Sequence, residues 1–327
     1  MARRLPRRRA LMLALAVPAI ARPAAAQEWK PTRQVSIIVP YPPGGFSDSL
    51  TRILAIELPN ILGQNVVVEN KPGASGRLGI DALSKAAPDG HTFAIVTPGI
   101  VSILPITDER YADMASRYTP LMLAVWAPAV IVFNPARIPA KTVPEFVEFI
   151  RQNPRKLNYG SLGVGSSYHI VIEAFLSTIG GDAVNVSYRG EAPAVQDLVA
   201  GQIDFMMATS TAIPHIKAGR ATALAALGTE RWSALPELPT LIESGVKYAR
   251  NSWFGYAGPP ELPRPIVDGL NKALATALKA EAVKKLLDAQ HTIVAASTPE
   301  QMRAAIAEES AEAKALITLG RVRVENN

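Results

Sequence analysis

Two glycine-rich turns contain the residues best suited to bind an anion. The first, at positions 39–48 (VPYPPGGFSD), follows a run of apolar residues and precedes a helical pattern. Glycine allows the backbone to approach a ligand closely, and the free N–H groups at the start of a helix favour a negative charge. Ser47 or Asp48 could cap that helix. An ordinary capped turn between a strand and a helix would show the same pattern, so this motif leaves both interpretations open.

The second turn, at positions 159–169 (YGSLGVGSSYH), has the same order of strand, glycine-rich loop and helix start. Its serine hydroxyls and backbone amides suit a carboxylate or a small polar solute. It is not a nucleotide-binding loop, because Tyr168 occupies the third glycine position of G-x-G-x-x-G and no Gly-Lys-Ser/Thr follows. It also lacks the G-x-S-x-G of a hydrolase, since Gly160 directly precedes Ser161. His169 either contacts a ligand or has a structural role.

Two charged side chains are further candidates for ligand contact. Arg189 follows a predicted strand end and could pair with a carboxylate through two hydrogen bonds, or it could be a surface arginine held by Glu191. Asp204 lies within a predicted strand, where it either accepts a hydrogen bond from a ligand or holds a neighbouring loop. The chain contains no cysteine, and its four histidines show no spacing typical of a zinc site. We therefore expect no metal and no cofactor.

Alternating strands and helices are predicted to position these turns in two mainly parallel sheets. Continuous apolar runs predict strands at 34–39, 65–69, 92–97, 129–133, 203–208 and 222–227. Helical spacing and end signals predict helices at 49–58, 78–85, 142–152, 168–179, 192–200 and 266–278, and a further one after Thr298. The apolar run 121–133 predicts two buried strands that meet at Pro128. The Ala- and Glu-rich stretch 304–315 is typical of a solvent-exposed helix.

The excess of positive charge lies at the N-terminus. The 327 residues carry a formal charge of +6, yet residues 1–26 contain six arginines and no acidic residue. Without these six, the remaining basic residues equal the 28 acidic ones in number, so the rest of the chain is neutral. A basic start, the apolar run 10–20 and an Ala-x-Ala end are typical of a secretory signal peptide, which we expect to be cleaved after Ala26. The neutral remainder argues against nucleic-acid binding.

Seven motifs occur in an order that resembles the Bug family, the extracytoplasmic solute receptors of tripartite tricarboxylate transporters. They are VPYPPGGFSD (39–48), LGQNVVVENKPGASGRLG (62–79), APDGHTF (87–93), YGSLGVGSSYH (159–169), VSYRGEAPAVQDLVAGQIDFM (186–206), IKAGRATALAALGTERWSALPELPTLIESG (216–245) and WFGYAGPP (253–260). The resemblance implies an α/β, two-lobed periplasmic binding protein fold (type II, Venus flytrap), in which each lobe is a mostly parallel sheet flanked by helices. We expect a signal peptide at 1–26, lobe I at 27–128 and 254–327, and lobe II at 129–253.

The family resemblance also implies where a ligand binds. Members of this family hold a carboxylate with backbone amides and ordered waters at junctions between loops and helices, and not with an arginine. The residues of this chain that the resemblance assigns to ligand binding are Tyr41, Pro43, Gly44, Gly45, Phe46, Ser47, Asp48, Thr97, Pro98, Ser161, Leu162, Gly163, Val164, Gly165, Ser166, Ser167, His169, Arg189, Gly190 and Asp204.

Four positions depart from the family pattern. Phe46 stands where a small or hydroxyl-bearing residue is usual, and Glu191 replaces a residue that is often glycine. Leu162 and Val164 are bulkier than the residues common at their positions. We therefore expect a smaller and more apolar pocket, which favours an aromatic or aliphatic monocarboxylate over citrate.

The expected function is solute binding without catalysis. The resemblance implies a periplasmic protein that closes on a small organic acid and delivers it to the membrane subunits of a transporter, and one site per chain favours a monomer. Two alternatives remain open. A secreted serine hydrolase would use Ser161 or Ser166 with His169, although no acid is placed by sequence to orient the histidine. A solute-sensing receptor would use the same fold and the same closed surface.

Overall fold

Two β-sheets organise the protein. The computed structural model describes residues 29–320, so the predicted signal peptide lies outside the described residues. In chain order the strands are β1 (Val35–Val39), β2 (Val66–Asn70), β3 (Thr92–Val96), β4 (Thr119–Ala127), β5 (Val130–Phe133), β6 (Asn158–Ser161), β7 (Val184–Ser187), β8 (Phe205–Ala208), β9 (Thr222–Ala226), β10 (Ser252–Gly258) and β11 (Ile293–Val294). The predicted pair of strands around Pro128 is confirmed, because β4 ends one residue before this proline and β5 begins two residues after it.

The first sheet has the strand order β11-β4-β10-β3-β1-β2. β1 pairs in parallel with β2 and β3, whereas β10 pairs antiparallel with β3 and β4. Parallel pairing, as expected, therefore holds for three adjacent strands. The chain returns from the second sheet straight into β10, so β10 runs opposite to its neighbours. Parallel pairing would require an additional crossover segment that first reverses the direction of the chain.

The second sheet has the strand order β7-β6-β8-β5-β9. β6 pairs in parallel with β7 and β8, and β5 pairs antiparallel with β8 and β9. β5 enters directly from β4 of the first sheet, which explains its reversed direction. Each sheet thus contains a parallel group of three strands beside the strands that carry the chain across, and in the first sheet β11 adds an antiparallel edge strand next to β4.

The helices flank both sheets. They are α1 (Phe46–Leu62), α2 (Arg77–Ser84), α3 (Leu104–Thr107), α4 (Val143–Gln152), α5 (Ser167–Ile179), α6 (Glu191–Val199), α7 (Ile213–Lys217), α8 (Arg264–Lys279), α9 (Glu281–Ala289) and α10 (Pro299–Thr318). The predicted capping box is confirmed at Thr298, whose hydroxyl accepts from the backbone N–H of Gln301 while the Gln301 side chain accepts from the backbone N–H of Thr298. α1 continues past its predicted end at Leu58: it includes Pro59 and ends at Leu62, where Gly63 in the left-handed conformation terminates it.

Apolar side chains form a core on each face of the first sheet and another around the second sheet. Alternation along β1 sends Ile37 into one first-sheet core and Ile38 into the other. α10 joins both sheets, since Met302 packs in a first-sheet core whereas Ala313 and Leu316 pack in the second-sheet core. The prediction of a solvent-exposed helix over 304–315 is therefore wrong for the face that carries Glu309 and Ala313, which is buried.

The chain itself crosses between the sheets twice. The first crossing is the two-residue link between β4 and β5, and the second is the segment 227–251 between β9 and β10. β10 begins at Ser252, and Ser252 and Trp253 pair with β4 of the first sheet.

Candidate functional site

A cavity of about 50 Å³ lies between the two sheets. From the first sheet and its loops it is lined by Tyr41, Pro42, Pro43, Gly45, Phe46, Ser47, Thr97, Ser252 and Phe254, and from the loops and helices of the second sheet by Leu162, Ser167, Tyr168, Gly190, Glu191, Ala192 and Pro193. The carboxyl ends of β1 and β3 open here, which is where ligands bind in open α/β sheets.

Three helices begin at this cavity. α1 and α6 start after Gly45 and Gly190, and neither of these glycines supplies a side-chain cap. α5 starts after Ser166, whose hydroxyl accepts from the backbone N–H of His169 and leaves the first two N–H groups of the helix uncapped. The first N–H groups of a helix have no partner inside the helix, and the helix dipole adds a partial positive charge. The cavity is therefore suited to hold an anion with backbone groups.

Aromatic rings form the wall contributed by the first sheet. The rings of Phe46 and Phe254 lie with their centroids 4.5 Å apart, and both side chains are buried. The Tyr41 hydroxyl is hydrogen-bonded to the Thr97 hydroxyl at 2.9 Å, and burial raises the pKa of Tyr41 to about 12. The tyrosine hydroxyl thus already has a partner, and the cavity receives mainly the apolar part of its ring.

The opposite wall contains a buried acid, Glu191. Its Oε1 accepts from the backbone N–H of Thr209 at 2.6 Å, and its Oε2 accepts from the Thr209 hydroxyl at 2.9 Å. Tyr168 is hydrogen-bonded to the same carboxylate, and burial together with this neighbouring negative charge raises the pKa of Tyr168 far above its usual range. The expectation that Glu191 could hold Arg189 at the surface is wrong, because this carboxylate faces Thr209 and Tyr168.

Asp48 supports the first turn from behind. Its carboxylate accepts from the backbone N–H of Gly44 at 3.0 Å, from Asn70 at 2.9 Å and from Arg52. Burial of the acid opposes these contacts, but together they hold the pKa of Asp48 below its usual range. Asp48 therefore fixes the glycine turn that leads to α1, and does not line the cavity.

His169 has a comparable supporting role in the second turn. Its Nδ1 accepts from the backbone N–H of Gly165 at 3.0 Å, and its ring stacks on Tyr159. Burial lowers the pKa of His169 to about 4. The Ser161 hydroxyl contacts the backbone of Gly163, so in the described residues neither Ser161 nor Ser166 is hydrogen-bonded to the His169 ring.

Arg189 lies outside the cavity, in an adjoining groove of about 560 Å³ that shares Tyr41, Pro42 and Leu162 with it. Gly163 lines the same groove, and a Cβ atom placed on it would come within 2.1 Å of Ser75 Oγ from the first-sheet side. The turn 161–166 therefore packs directly on the loops of the first sheet.

Asp204 does not join this site. It is fully buried, accepts from the backbone N–H of Asn158 at 2.7 Å and pairs with Arg137 at 2.8 Å. β6 and β8 are parallel, so Asp204 lies with Asn158 at the end opposite to Ser161, where β6 meets the second turn. Asp204 therefore lies away from the cavity, and its contacts fit the second of the two roles that the sequence left open, that of holding a neighbouring loop.

The residues assigned by resemblance thus separate into three groups. Tyr41, Pro43, Gly45, Phe46, Ser47, Thr97, Leu162, Ser167 and Gly190 line the cavity. Gly44, Gly163, Val164, Gly165, Ser166 and Arg189 line adjoining spaces between the sheets. Asp48, Pro98, Ser161, His169 and Asp204 line none of these spaces; Pro98 precedes the short helical turn Gly99–Ile103.

A model of the tripartite tricarboxylate transporter family receptors matches residues 50–320. The chain belongs to this receptor family. The receptor is 31% identical to BugT of Bordetella pertussis over 302 residues, which is 90% of this chain and 91% of BugT. The predicted resemblance to the Bug family is confirmed.

Two solved structures resemble the receptor along most of its length. MatC from Rhodopseudomonas palustris with bound malate has a TM-score of 0.81 and 28% identity, with 88% of this chain and 99% of MatC covered. An R. palustris protein with adipate has a TM-score of 0.84 and 30% identity, with 90% of this chain and 99% of that protein covered. The similar structures include the periplasmic binding protein BugD, and the predicted two-lobed α/β fold is confirmed.

Four lining residues of the receptor were not expected from the sequence, namely Ala192, Pro193, Ser252 and Phe254. Most of them lie inside the motifs that resemble the Bug family, so the sequence already marked the segments in which they occur. Ser252 and Phe254 lie some 200 residues from the first turn, and only the return of β10 beside β3 brings Phe254 against Phe46.

Among residues 29–320, no group of histidine and acidic side chains has the arrangement of a metal site. In that same range no helix combines the length and the apolar character needed to cross a bilayer.

Proposed function

We propose that this receptor binds a small carboxylate-bearing solute in the cavity between its two lobes and delivers it, chemically unchanged, to the membrane subunits of a tripartite transporter. The observation that carries the proposal is the meeting of three helix starts, those of α1, α5 and α6, at one cavity between the sheets. Membership of the receptor family and the bound malate and adipate of the two similar proteins support it.

In this proposal the carboxylate accepts hydrogen bonds from backbone N–H groups on both sides of the cavity. α1 contributes from the first-sheet lobe, while α5 and α6 contribute from the second-sheet lobe. A solute that touches both lobes stabilises the closed arrangement over an open one, because only the closed arrangement offers all of these contacts. We propose that the strands of each sheet, with their flanking helices, form the two lobes that move.

The proposed location is the periplasm, with the segment 1–26 removed on export and the mature chain acting as a monomer. The neutral charge of the remaining chain and the family membership support this assignment.

Transport and sensing would use the same cavity. Loss of solute uptake in a strain that lacks the receptor supports transport, whereas unchanged uptake with a lost transcriptional response supports the sensor.

The first experiment is native mass spectrometry of the purified mature protein, followed by titration calorimetry with small carboxylic acids. We expect one acid bound per chain and recovery of that acid with unchanged mass. Conversion of the acid, or turnover of an ester by the wild type that is lost in Ser166→Ala, would contradict the proposal in favour of the hydrolase.

A further inference from the structure

Most of the surface that lines the cavity is apolar, and its polar groups include the N–H groups of the helix starts and the hydroxyls of Ser47, Thr97, Ser167 and Ser252. Two tyrosines line the cavity, but the Tyr41 hydroxyl is hydrogen-bonded to Thr97 and the Tyr168 hydroxyl to Glu191. Much of the remaining surface is apolar, with Phe46 and Phe254 in mutual contact on one side and Leu162 on the other. A ligand that fills this space therefore needs an apolar body.

No cation faces the cavity among the described residues that line it. Glu191 is the one charged side chain in this lining, and it is negative. Only 4% of its surface is exposed, and hydrogen bonds from Thr209 and Tyr168 fix its carboxylate beside the cavity. A second carboxylate on the ligand would lie near this fixed like charge.

Cationic side chains of the site region line only the adjoining spaces, Arg77 and Lys217 in two of them and Arg189 in a third. Arg189 is exposed and lines the adjoining groove, not the cavity. A second carboxylate could approach it only by leaving the cavity past Tyr41, Pro42 and Leu162, which border both spaces.

The size of the cavity agrees with a small ligand. One water molecule requires roughly 10–15 Å³ on the scale used for such cavities. The 50 Å³ between the lobes therefore holds only a few groups of that size, which suits a short or flat acid.

We propose, building on the proposed function, that the solute is a monocarboxylate with an apolar body, and that Phe46 and Glu191 are the residues that select it over dicarboxylates. The single carboxylate binds at the helix starts, the body lies against Phe46 and Phe254, and Glu191 repels a second charge. This specificity differs from that of the two similar proteins, whose structures contain the dicarboxylates malate and adipate.

Matched pairs of acids test the proposal by calorimetry on the mature wild-type receptor. Hexanoate and adipate have the same number of carbons and differ in one terminal carboxylate, as do butyrate and succinate; benzoate tests a flat body. We expect at least one of the three monocarboxylates to bind, and hexanoate and butyrate to bind at least tenfold more tightly than their diacids. Adipate or succinate binding more tightly than its monoacid, with affinity lost in Arg189→Ala, would overturn this inference and leave the proposed function intact. Binding of none of the five acids would instead contradict the proposed function.

Substitutions of Glu191 and Phe46 test whether these residues select the ligand, and a control variant reports any general loss of structure. Glu191→Gln removes the fixed charge and is expected to shift the preference toward the diacid at least tenfold. Glu173→Gln is its control, because Glu173 is another buried acid of the same lobe that accepts from a tyrosine, Tyr159, at 2.7 Å but does not line the cavity. Phe46→Ser is expected to weaken monocarboxylate binding about tenfold and to leave diacid binding unchanged or stronger. An unchanged ratio in both Glu191→Gln and Phe46→Ser would overturn the assignment of these residues.

Discussion

At the scale of single residues, the polar side chains around the cavity mostly hold the backbone in place. Asp48 accepts from Gly44, and the Ser166 hydroxyl caps α5. Polar side chains of these types are candidates for ligand contact, but their hydrogen bonds are made within the protein. The groups that remain toward the cavity are mainly the backbone N–H groups of the helix starts, with the hydroxyls of Ser47, Ser167 and Ser252 beside them. Substitution of the holding residues should therefore change stability before it changes affinity.

His169 makes the stability of the receptor depend on pH. The imidazole pKa is about 4 in the folded protein because of burial, and near 6.5 when it is exposed in the unfolded chain. Between these values the unfolded chain binds the proton more readily, so the free energy of unfolding falls as the pH drops from about 6.5 to 4. By pH 5 the loss from this one group is about 2 kcal/mol.

The variant His169→Asn tests this dependence. Its side-chain oxygen can take the place of Nδ1 and accept from Gly165, but it does not titrate. We expect the difference in unfolding free energy between pH 7 and pH 5 to shrink by about 2 kcal/mol relative to wild type. His169→Gln serves as the control, because it does not titrate either but places its oxygen too far away for Gly165, and should lose about 1–2 kcal/mol already at pH 7. An unaltered pH slope in both variants would show that His169 is not the group responsible.

Asp204 is expected to contribute to the stability of the protein but not to its affinity for the solute. Asp204→Ala leaves the buried N–H of Asn158 without an acceptor and removes the partner of Arg137. We expect the free energy of unfolding in urea to fall by about 2–3 kcal/mol, while solute affinity stays within twofold of wild type. Asp182→Ala is the matched control: its exposed ion pair with Arg155 should contribute less than about 1 kcal/mol. A large loss of solute affinity in Asp204→Ala, measured under conditions where the variant is fully folded, would show that Asp204 does take part in binding.

At the scale of elements, glycines allow the second turn to pack against the first-sheet lobe. A Cβ atom on Gly165 would come within 2.8 Å of Thr107 Oγ1, and one on Gly99 would come within 3.1 Å of the backbone nitrogen of Ser167. Both contacts join a loop of one lobe to a loop or helix of the other. The start of α5 can reach the cavity because these positions carry no side chain.

Gly165→Ala tests this packing requirement. The added Cβ meets Thr107 and should move the turn and the start of α5 away from the other lobe, so we expect solute affinity to fall at least tenfold. Gly180→Ala is the control at the other end of α5, where φ is also positive but no atom lies within 4 Å of the added Cβ. Both variants should lose about 1 kcal/mol of stability through the backbone, as followed by urea denaturation. Equal affinities in the two variants, measured by calorimetry, would contradict a role for the contact with Thr107.

Most elements could be predicted from local patterns, and the exceptions have physical reasons. The apolar runs of β1, β3 and β9 and the capped starts of α4 and α10 are visible in the sequence because their signals are local. β10 was not predicted as a strand, since its two glycines and its aromatic residues give no clear alternation, and its stability comes from pairing with β3 and β4. The aromatic wall of the cavity depends on that pairing, so Phe254 could not be placed opposite Phe46 beforehand.

At the scale of the whole molecule, the connections between the lobes lie toward one side. β4 and β10 carry the crossings in the first sheet, and β5 and β9 carry them in the second. α10 adds a third connection, where Arg250 of the second crossing pairs with Glu309 and Glu312, and Trp253 Nε1 donates to Glu309 at 2.7 Å. β2 and β7 form the edges farthest from these strands. A rotation about the crossings would therefore separate the loops at these two edges most, including the loop after β2 and the loop after β6, the neighbour of β7.

The contact between these loops allows a direct test of closure, because the chain has no cysteine of its own. A Cβ on Gly163 would lie 3.2 Å from Ser75 Cβ, close to the separation of roughly 3.5–4.5 Å found in disulfides. In the double variant Ser75→Cys/Gly163→Cys, we expect solute to speed disulfide formation, since it stabilises the arrangement that brings the two sulfurs together. Oxidation in the presence of radiolabelled solute should then trap it through gel filtration, and reduction should release it, whereas either single variant should retain none. A disulfide that forms at the same rate with and without solute, and lets solute exchange freely, would show that these loops do not move apart and that binding does not require closure at this edge.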